Sequence, residues 1–365
     1  MIGADFSAFR CFARPERAGA EGLFDLVSQG YANTVLSRVL EGDLPTDIAQ
    51  ALGDWMGGLR PLALTWFASV AKMGRAVFEE SQIKDELLGR LLLDLAPELG
   101  DFEYRFRCKS GLPIVRDGCL YHPSESISIA SRVGETSVIG LGEGVALAQV
   151  GAITVVETRQ SVESLCGDGV PALPLDPECS GNFGWAAEIS EGLRQMARID
   201  PAYDIWVRRV LKTLVVTERL PHRTCSGSWL DTSATVYMSQ PGAPLDVGEV
   251  LIHECAHQHF HLASRVAPMK APGESGRYFS PPVGRERPLD MILIAYHAFA
   301  NVLTYYEKAF DMSLGDTVSR NRYASFREQV AALESHLLGN PGLSDLGRTI
   351  FEELYNARQH AGAMG

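Results

Sequence analysis

LIHECAHQHFH, residues 251–261, is the stretch that most constrains the fold of this chain. It lies in a predicted helix over 247–264, in which His253 and His257 fall one turn apart on the same face. Two imidazoles in this arrangement can bind one cation. Glu254 is rotated by about 100° from His253, so it stands beside that cation, where it can act on a metal-bound water or order the ligands. This His-Glu-x-x-His pattern predicts a metalloenzyme.

The residues around the motif refine this prediction. Asp246 is expected to be the N-cap of the helix, and Glu249, three residues later, completes a capping-box pattern. His261 lies about 12 Å along the helix axis from His253, and His259 points to a different face. We therefore expect His259 and His261 to be exposed or to support the site indirectly.

A metal site needs at least a third protein ligand. The metzincin completion of the motif is absent, because position 260 is not Gly and position 263 is Ala. We expect the ligand to come from the next helix, 289–312, which begins after Pro288. His297 lies in an apolar stretch in its middle, and Glu307 lies near its far end. A core histidine is the ordinary interpretation of such a position, but the site needs a partner here, so we favour His297 as the third ligand.

The composition of the chain argues against some classes of binding partner. The chain has 365 residues, of which 46% are hydrophobic and 21% charged, as in ordinary globular proteins. Its net charge of -12 and its lack of a dense basic run argue against nucleic acid as the main partner. No apolar stretch has the length of a signal peptide core or a membrane span, so we expect a cytoplasmic protein with no membrane partner. The seven cysteines are scattered without a C-x-x-C pair, which fits reduced thiols.

The pattern along the chain predicts a mainly helical α+β fold. Three regions are expected: a helical N-terminal region at 1–110, a small β-rich region with a linker at 111–180, and a catalytic region at 181–365 with a zincin-like HExxH helix pair. The linker is placed at 161–184 and a short strand at 233–239. The other predicted helices are 21–40, 45–56, 62–96, 185–198, 201–218, 318–338 and 343–360.

Three segments together resemble a known family. LIHECAHQHFHLA, YFSPPVGRERPL and AYHAFANV are similar to segments of the HExxH-type, 2-oxoglutarate-dependent peptide β-hydroxylases, which tailor ribosomally made peptides. CSGSW, residues 225–229, also resembles the Ser-Gly-Ser segment of that family. The likeness covers about 220–305 and departs from the family at Pro282, where an aromatic residue is usual. The matching positions are His253, Glu254, His257, Ser280, Pro281, Arg287, Pro288, His297 and Phe299.

The resemblance implies an oxygenase that uses iron(II), 2-oxoglutarate and O2 to hydroxylate a precursor peptide. It implies that His253, His257 and His297 hold the iron. An arginine suits the distal carboxylate of 2-oxoglutarate, because its fork forms two parallel hydrogen bonds. The candidates for binding this co-substrate are Arg287, Arg285, Ser226, Ser228 and Ser280.

Two other classes of function stay open. In a zinc metallopeptidase the same histidines would hold zinc, and Glu254 would deprotonate the attacking water. A binding module with a degenerate site is the third interpretation, and the intact motif argues against it.

Overall fold

The structure, a computed structural model, describes residues 5–15, 21–80, 84–108, 113–132, 135–160, 180–181, 183–220 and 224–362. The chain forms two compact units, each built from segments that are distant in sequence. The first unit comprises Met1–Val27, Glu188–Arg209 and Pro241–Gly365, and the second comprises Ser28–Ala187 and Val210–Gln240. The three consecutive regions expected from the sequence do not coincide with these units. Nearly all of the expected linker at 161–184 lies outside the described residues.

Helices make up most of the regular structure, so the prediction of a mainly helical α+β fold is confirmed. None of the described helices is long and apolar enough to cross a bilayer. The α-helices within the described residues are α1 (Arg10–Ala13), α2 (Glu21–Leu40), α3 (Thr46–Met56), α4 (Ala68–Arg75), α5 (Asp85–Leu95), α6 (Ala186–Ile199), α7 (Pro201–Val210), α8 (Pro244–Ser264), α9 (Leu289–Asp311), α10 (Thr317–Leu337) and α11 (Asp345–Gly362).

Within the described residues the strands are short and form four separate sheets. They are β1 (Phe102–Arg107), β2 (Ile114–Arg116), β3 (Cys119–Tyr121), β4 (Ser126–Arg132), β5 (Glu135–Ile139), β6 (Gly144–Ala146), β7 (Ala148–Val150), β8 (Ile153–Thr158), β9 (Ser180–Gly181), β10 (Thr213–Thr217), β11 (Ser226–Gly227), β12 (Thr235–Ser239), β13 (Arg277–Ser280) and β14 (Arg285–Pro288).

The largest sheet joins distant segments of the second unit. Its strand order is β11-β12-β10-β8-β7, with β9 paired to β8. Strand β10 is parallel to both neighbours, with Val215 opposite Val156 on one side and Tyr237 on the other. All three side chains are fully buried. This pairing explains why residues beyond 210 belong with residues before 187.

Strand β10 corrects the predicted helix 201–218, because helix α7 ends at Val210. The segment TLVVT forms a parallel strand whose last four residues are buried. Buried parallel strands are continuous apolar runs, which hydrophobic periodicity cannot distinguish from a helix. The predicted helix 62–96 is also interrupted. Helix α4 passes into a π-helical turn at Ala76–Glu80, and α5 begins only after the extended residue Lys84.

Helices α8 and α9 pack closely in the first unit because α8 carries a glycine at their contact. A Cβ atom added to Gly248 would lie 2.2 Å from the Tyr305 hydroxyl oxygen and 2.4 Å from its ring carbon. The absence of a side chain on α8 therefore lets the ring of Tyr305 approach the backbone. This approach places the HExxH helix directly against the helix that carries His297.

The start of α8 differs from the prediction. The helix begins at Pro244, so Asp246 is the third helical residue and not the N-cap. Its carboxylate accepts hydrogen bonds at 3.1 Å from the backbone N–H groups of Gly242 and Ala243. Asp246 thus satisfies backbone donors that the helix start leaves open. Glu249 does not take part, because it accepts from Arg322 at 3.1 Å.

Candidate metal centre

His253 and His257 form the centre of the candidate site on α8. Their ring centroids are 4.8 Å apart, and the rings are nearly perpendicular, at 86°. Both side chains are partly buried, and the Nδ1 atom of His257 has no hydrogen-bond partner among the described residues. The predicted one-turn spacing on a common face is therefore present. The pair fits two positions in the ligand set of a metal ion.

Electrostatics keep His257 neutral at ordinary pH. Burial lowers the pKa of His257 well below its usual value, and the neighbouring His253 lowers it further. Effects of the same sign come from His261, His297 and Arg287. A neutral imidazole is the form that binds a metal, so protons compete little for this ligand.

Glu254 lies on the same turn of α8 and is 3% exposed. Its negative charge, after the larger effect of burial, raises the pKa of the adjacent Cys255 thiol. Cys255 is itself fully buried and directed towards the carbonyl of Val207. The motif glutamate therefore stands in a largely water-excluded region beside the histidine pair, as the sequence predicts.

His297 is fully buried on α9, but its ring contacts Phe260 and Trp206 and not the histidine pair. The centroid distances are 5.8 Å to Phe260 and 6.2 Å to Trp206. Its Nε2–H donates to the carbonyl of Phe12 at 2.9 Å, and its Nδ1 has no hydrogen-bond partner among the described residues. Across the described part of the chain, no three His, Cys, Asp or Glu side chains converge closely enough to hold a metal. The structure thus brings two of the three predicted ligands together.

Phe299 is the α9 residue that reaches the histidine pair. Its ring centroid lies 4.8 Å from that of His253, at 72°. The ring also packs against Phe326 of α10 at 5.1 Å. Phe299 therefore forms an apolar wall on one side of the pair and limits the rotation of His253. The sequence placed Phe299 among the matching positions without a role.

The segment between α8 and α9 contains a β-hairpin that the sequence analysis did not predict. Strands β13 and β14 are antiparallel, with Tyr278 opposite Arg287 and Ser280 opposite Arg285. Opposite residues of an antiparallel pair share a face, and so do alternate residues of one strand. All four side chains therefore project from one face of the hairpin. The signal was the turn PPVG between the two short segments RYFS and RERP, in which Gly284 adopts a positive φ of 64°.

Arg287, on the hairpin, carries a positive charge that affects the histidine pair. Its charge lowers the pKa of His257, after the larger effects of burial and of three other histidines. Burial and the neighbouring Arg285 lower the pKa of Arg287, and Asp290 opposes them. Arg287 is partly buried and forms no ion pair within the part of the chain that the structure describes. Such a cation is suited to bind an added carboxylate.

The three predicted serines fall in two places. Ser280 is fully buried, and its hydroxyl has no hydrogen-bond partner among the described residues. It lies on the same hairpin face as Arg287 and is available to a ligand bound there. Ser226 is part of β11 and Ser228 follows it, and both belong to the second unit. Their predicted part in binding the co-substrate stays a prediction.

The two remaining motif histidines are not equivalent. His259 is fully buried and stacks on Trp206 with ring centroids 4.0 Å apart, and its Nε2 donates to the Trp206 carbonyl at 3.0 Å. It is a core residue and points away from His253, as expected, but it is not exposed. His261 is partly buried, and burial is the main cause that lowers its pKa to about 4.

Comparisons with known proteins give no independent assignment. No model of a known protein family matches the sequence, and no curated protein matches it either. The functional argument therefore rests on the motif segments and on the geometry around the histidine pair.

Proposed function

We propose that this protein is an iron(II)/2-oxoglutarate-dependent oxygenase that hydroxylates the β-carbon of a side chain in a ribosomally made peptide. One structural observation carries the choice of reaction. Arg287 lies on the hairpin that leads into α9, its guanidinium is partly removed from water, and it forms no ion pair among the described residues. A co-substrate with a distal carboxylate would supply that partner.

The metal would be held by His253 and His257, with His297 as the proposed third ligand. The bond from His297 Nε2–H to the Phe12 carbonyl fixes the tautomer, so the lone pair is on Nδ1. Histidines that bind metals usually donate their other ring N–H to a carbonyl or carboxylate in this way. The Nδ1 atom of His297, which has no partner of normal hydrogen-bond geometry among the described residues, supports the proposal.

Iron(II) with 2-oxoglutarate supplies the activation of dioxygen that inserts one oxygen atom into a C–H bond. The side chains of the protein would bind the co-substrate and hold it in position. Arg287 would hold the distal carboxylate by paired hydrogen bonds, and the buried Ser280 hydroxyl on the same hairpin face would donate a further one. Phe299 packs against His253 and excludes water on that side. The exposed Arg285 is the weaker candidate for the carboxylate.

Glu254 has no obligatory proton transfer in this reaction. It is buried beside the histidines, where a carboxylate orders the ligands and balances the charge of a cation. A precursor peptide is the proposed substrate, and the cytoplasm is the proposed location.

A zinc metallopeptidase is the second candidate, and the burial of Glu254 on the motif helix favours it. In that reaction Glu254 would take the proton of the attacking water. An oxygenase that uses 2-oxoglutarate needs a cation for a carboxylate beside its metal, whereas an endopeptidase does not.

The deciding experiment compares the two reactions on one preparation. Protein reconstituted anaerobically with iron(II) is exposed to air and 2-oxoglutarate, and loss of 2-oxoglutarate and formation of succinate are measured. The same protein loaded with zinc is assayed for cleavage of unstructured peptides. Iron-dependent succinate formation, with a gain of one oxygen on a co-expressed precursor peptide, is the expected result. Zinc-dependent cleavage that is indifferent to 2-oxoglutarate would overturn the proposal.

A further inference from the structure

The second unit contains a cavity of about 260 Å³ that the proposed reaction does not use. It is lined by the start of α4, by α5, and by the residues that precede strands β10 and β12. Ligand pockets for drug-sized molecules typically enclose about 300–1,000 Å³, so this cavity suits a smaller molecule.

The N-terminus of α4 forms one wall of the cavity through Phe67, Ala68 and Ser69. Phe67 occupies the N-cap position in an extended conformation, and no side chain caps the helix. The first backbone N–H groups of a helix carry partial positive charge and lack intrahelical acceptors. An anion in the cavity would satisfy them, as at other helix N-termini that bind phosphate.

Ser69 gives independent support for a ligand at this wall. Its side chain is only 7% exposed, and its hydroxyl has no hydrogen-bond partner of normal geometry among the described residues. The hydroxyl stabilises the charged form of the neighbouring Asp94 without forming a hydrogen bond of normal geometry to it. A ligand oxygen in the cavity would give this buried hydroxyl a better-placed acceptor.

Two lysines add positive charge to the same cavity. Lys72 lies three residues after Ser69 and so on the same side of α4. Lys212 precedes β10, and its Nζ lies 4.7 Å from the centroid of the Phe67 ring. Burial lowers the pKa of Lys72 and lowers that of Lys212 to about 8. Burial therefore disfavours the charged ammonium forms of both lysines, and a bound anion would stabilise those forms.

The acidic side chains of the cavity offset only part of this positive charge, since Asp94 favours the charged forms of both lysines. Glu98 lies 3.5 Å from Arg60, and another lining cation, Arg90, is engaged by Glu86 at 3.1 Å. Asp94 remains. Burial raises its pKa, and the Ser69 hydroxyl and the Lys212 ammonium oppose that rise. A carboxyl at this position can accept a hydrogen bond from a hydroxyl group of a ligand.

We propose that this cavity binds the phosphate group of a small hydroxylated molecule. The uncapped start of α4, Ser69, Lys72 and Lys212 contact the phosphate, and Asp94 accepts from a ligand hydroxyl. A tetrahedral dianion fits this set because it accepts more hydrogen bonds than a carboxylate does. The proposal is independent of the reaction at the HExxH helix.

The first test measures thermal unfolding and calorimetric binding with inorganic phosphate and with glycerol phosphate, each against sodium chloride at equal ionic strength. Lys72→Gln and Lys212→Gln are compared with Lys84→Gln, which removes the same charge from an exposed position outside the cavity lining. We expect wild type and Lys84→Gln to bind both phosphates, glycerol phosphate more tightly, and each cavity variant to lose about tenfold in affinity or more. Equal responses of all four proteins, or none beyond sodium chloride, would overturn the proposal.

A second measurement uses the wild-type protein and so does not depend on the variants folding. An amine-reactive reagent at pH 8 should be slowed by glycerol phosphate at Lys72 and Lys212 but not at the exposed Lys84, as read by peptide mapping. Acetate at the same concentration should not protect. Lack of protection by glycerol phosphate, or equal protection by acetate, would contradict a phosphate site.

Discussion

The imidazole of His297 donates from Nε2 to the backbone carbonyl of Phe12 at 2.9 Å and so ties α9 to the N-terminal segment of the first unit. One turn later, Asn301 donates to the carbonyl of Ala13, also at 2.9 Å. Both side chains therefore anchor α1 through a hydrogen bond to its backbone, but only His297 has a second ring nitrogen that could bind a metal. This difference allows the ligand role and the anchoring role to be separated.

We predict that His297→Ala loses most of its bound iron, whereas Asn301→Ala keeps it. Each change removes a buried hydrogen bond to α1 and should lower the free energy of unfolding by about 1–3 kcal/mol. Only the histidine variant also removes a proposed ligand. Metal analysis and chemical denaturation of both variants make the check. If His297→Ala retains full iron while losing stability like Asn301→Ala, the residue is an anchor only.

Arg287→Gln is predicted to keep iron but to raise the 2-oxoglutarate concentration needed for half-maximal turnover by about ten- to a hundredfold. Loss of a partly buried partner for a carboxylate costs about 2–5 kcal/mol, and the partial exposure of Arg287 places it at the low end. Arg285→Gln, exposed on the same hairpin face, is the matched control and should change the requirement little. An effect of Arg285→Gln as large as that of Arg287→Gln would reassign the carboxylate site.

Glu254→Gln distinguishes the two classes of enzyme. In the oxygenase, the variant should still bind metal and retain measurable 2-oxoglutarate turnover, because no step needs Glu254 as a base. In a peptidase the same change removes the general base and should abolish hydrolysis. The measurement is succinate formation beside peptide cleavage for wild type and variant. Peptide cleavage by the wild type that disappears in Glu254→Gln would favour the zinc enzyme.

Gly248→Ala should destabilise the first unit by about 1–3 kcal/mol, since the new methyl group would overlap the ring of Tyr305. Gly53→Ala serves as the control. Gly53 also lies inside a helix, but its added Cβ atom would meet nothing within 4 Å. That substitution should stabilise by about 0.5–1 kcal/mol. Urea denaturation of both variants tests the close packing of α8 on α9, and equal effects of the two changes would contradict it.

Local sequence patterns correctly predicted those helices whose own residue spacing is sufficient to specify them. The spacing of His253 and His257, the helix around them and the helix after Pro288 follow from a strong helical period, and the structure contains all three. Strand β10 was missed because its burial comes from β8 and β12, which are distant in sequence. The same long-range pairing explains why the three expected regions differ from the two units.

The sequence could predict only the part of the candidate site that lies on a single helix, which is the pair His253 and His257. The position of Arg287 near His257 depends on the hairpin register with Tyr278, and that register follows from a turn whose strands have only four residues each. The position of the His297 ring depends on the carbonyl of Phe12, which lies 285 residues away in sequence. No local pattern contains such a contact.

Metal binding by the histidine pair is the central claim, and metal content tests it most directly. Wild type, His253→Ala, His257→Ala and the exposed control His360→Ala are each reconstituted with iron(II), desalted and analysed for bound metal. Wild type and His360→Ala should hold about one ion per chain, while each pair variant should lose most of it, because too few ligands remain. Full occupancy in both His253→Ala and His257→Ala would contradict a metal centre on this helix.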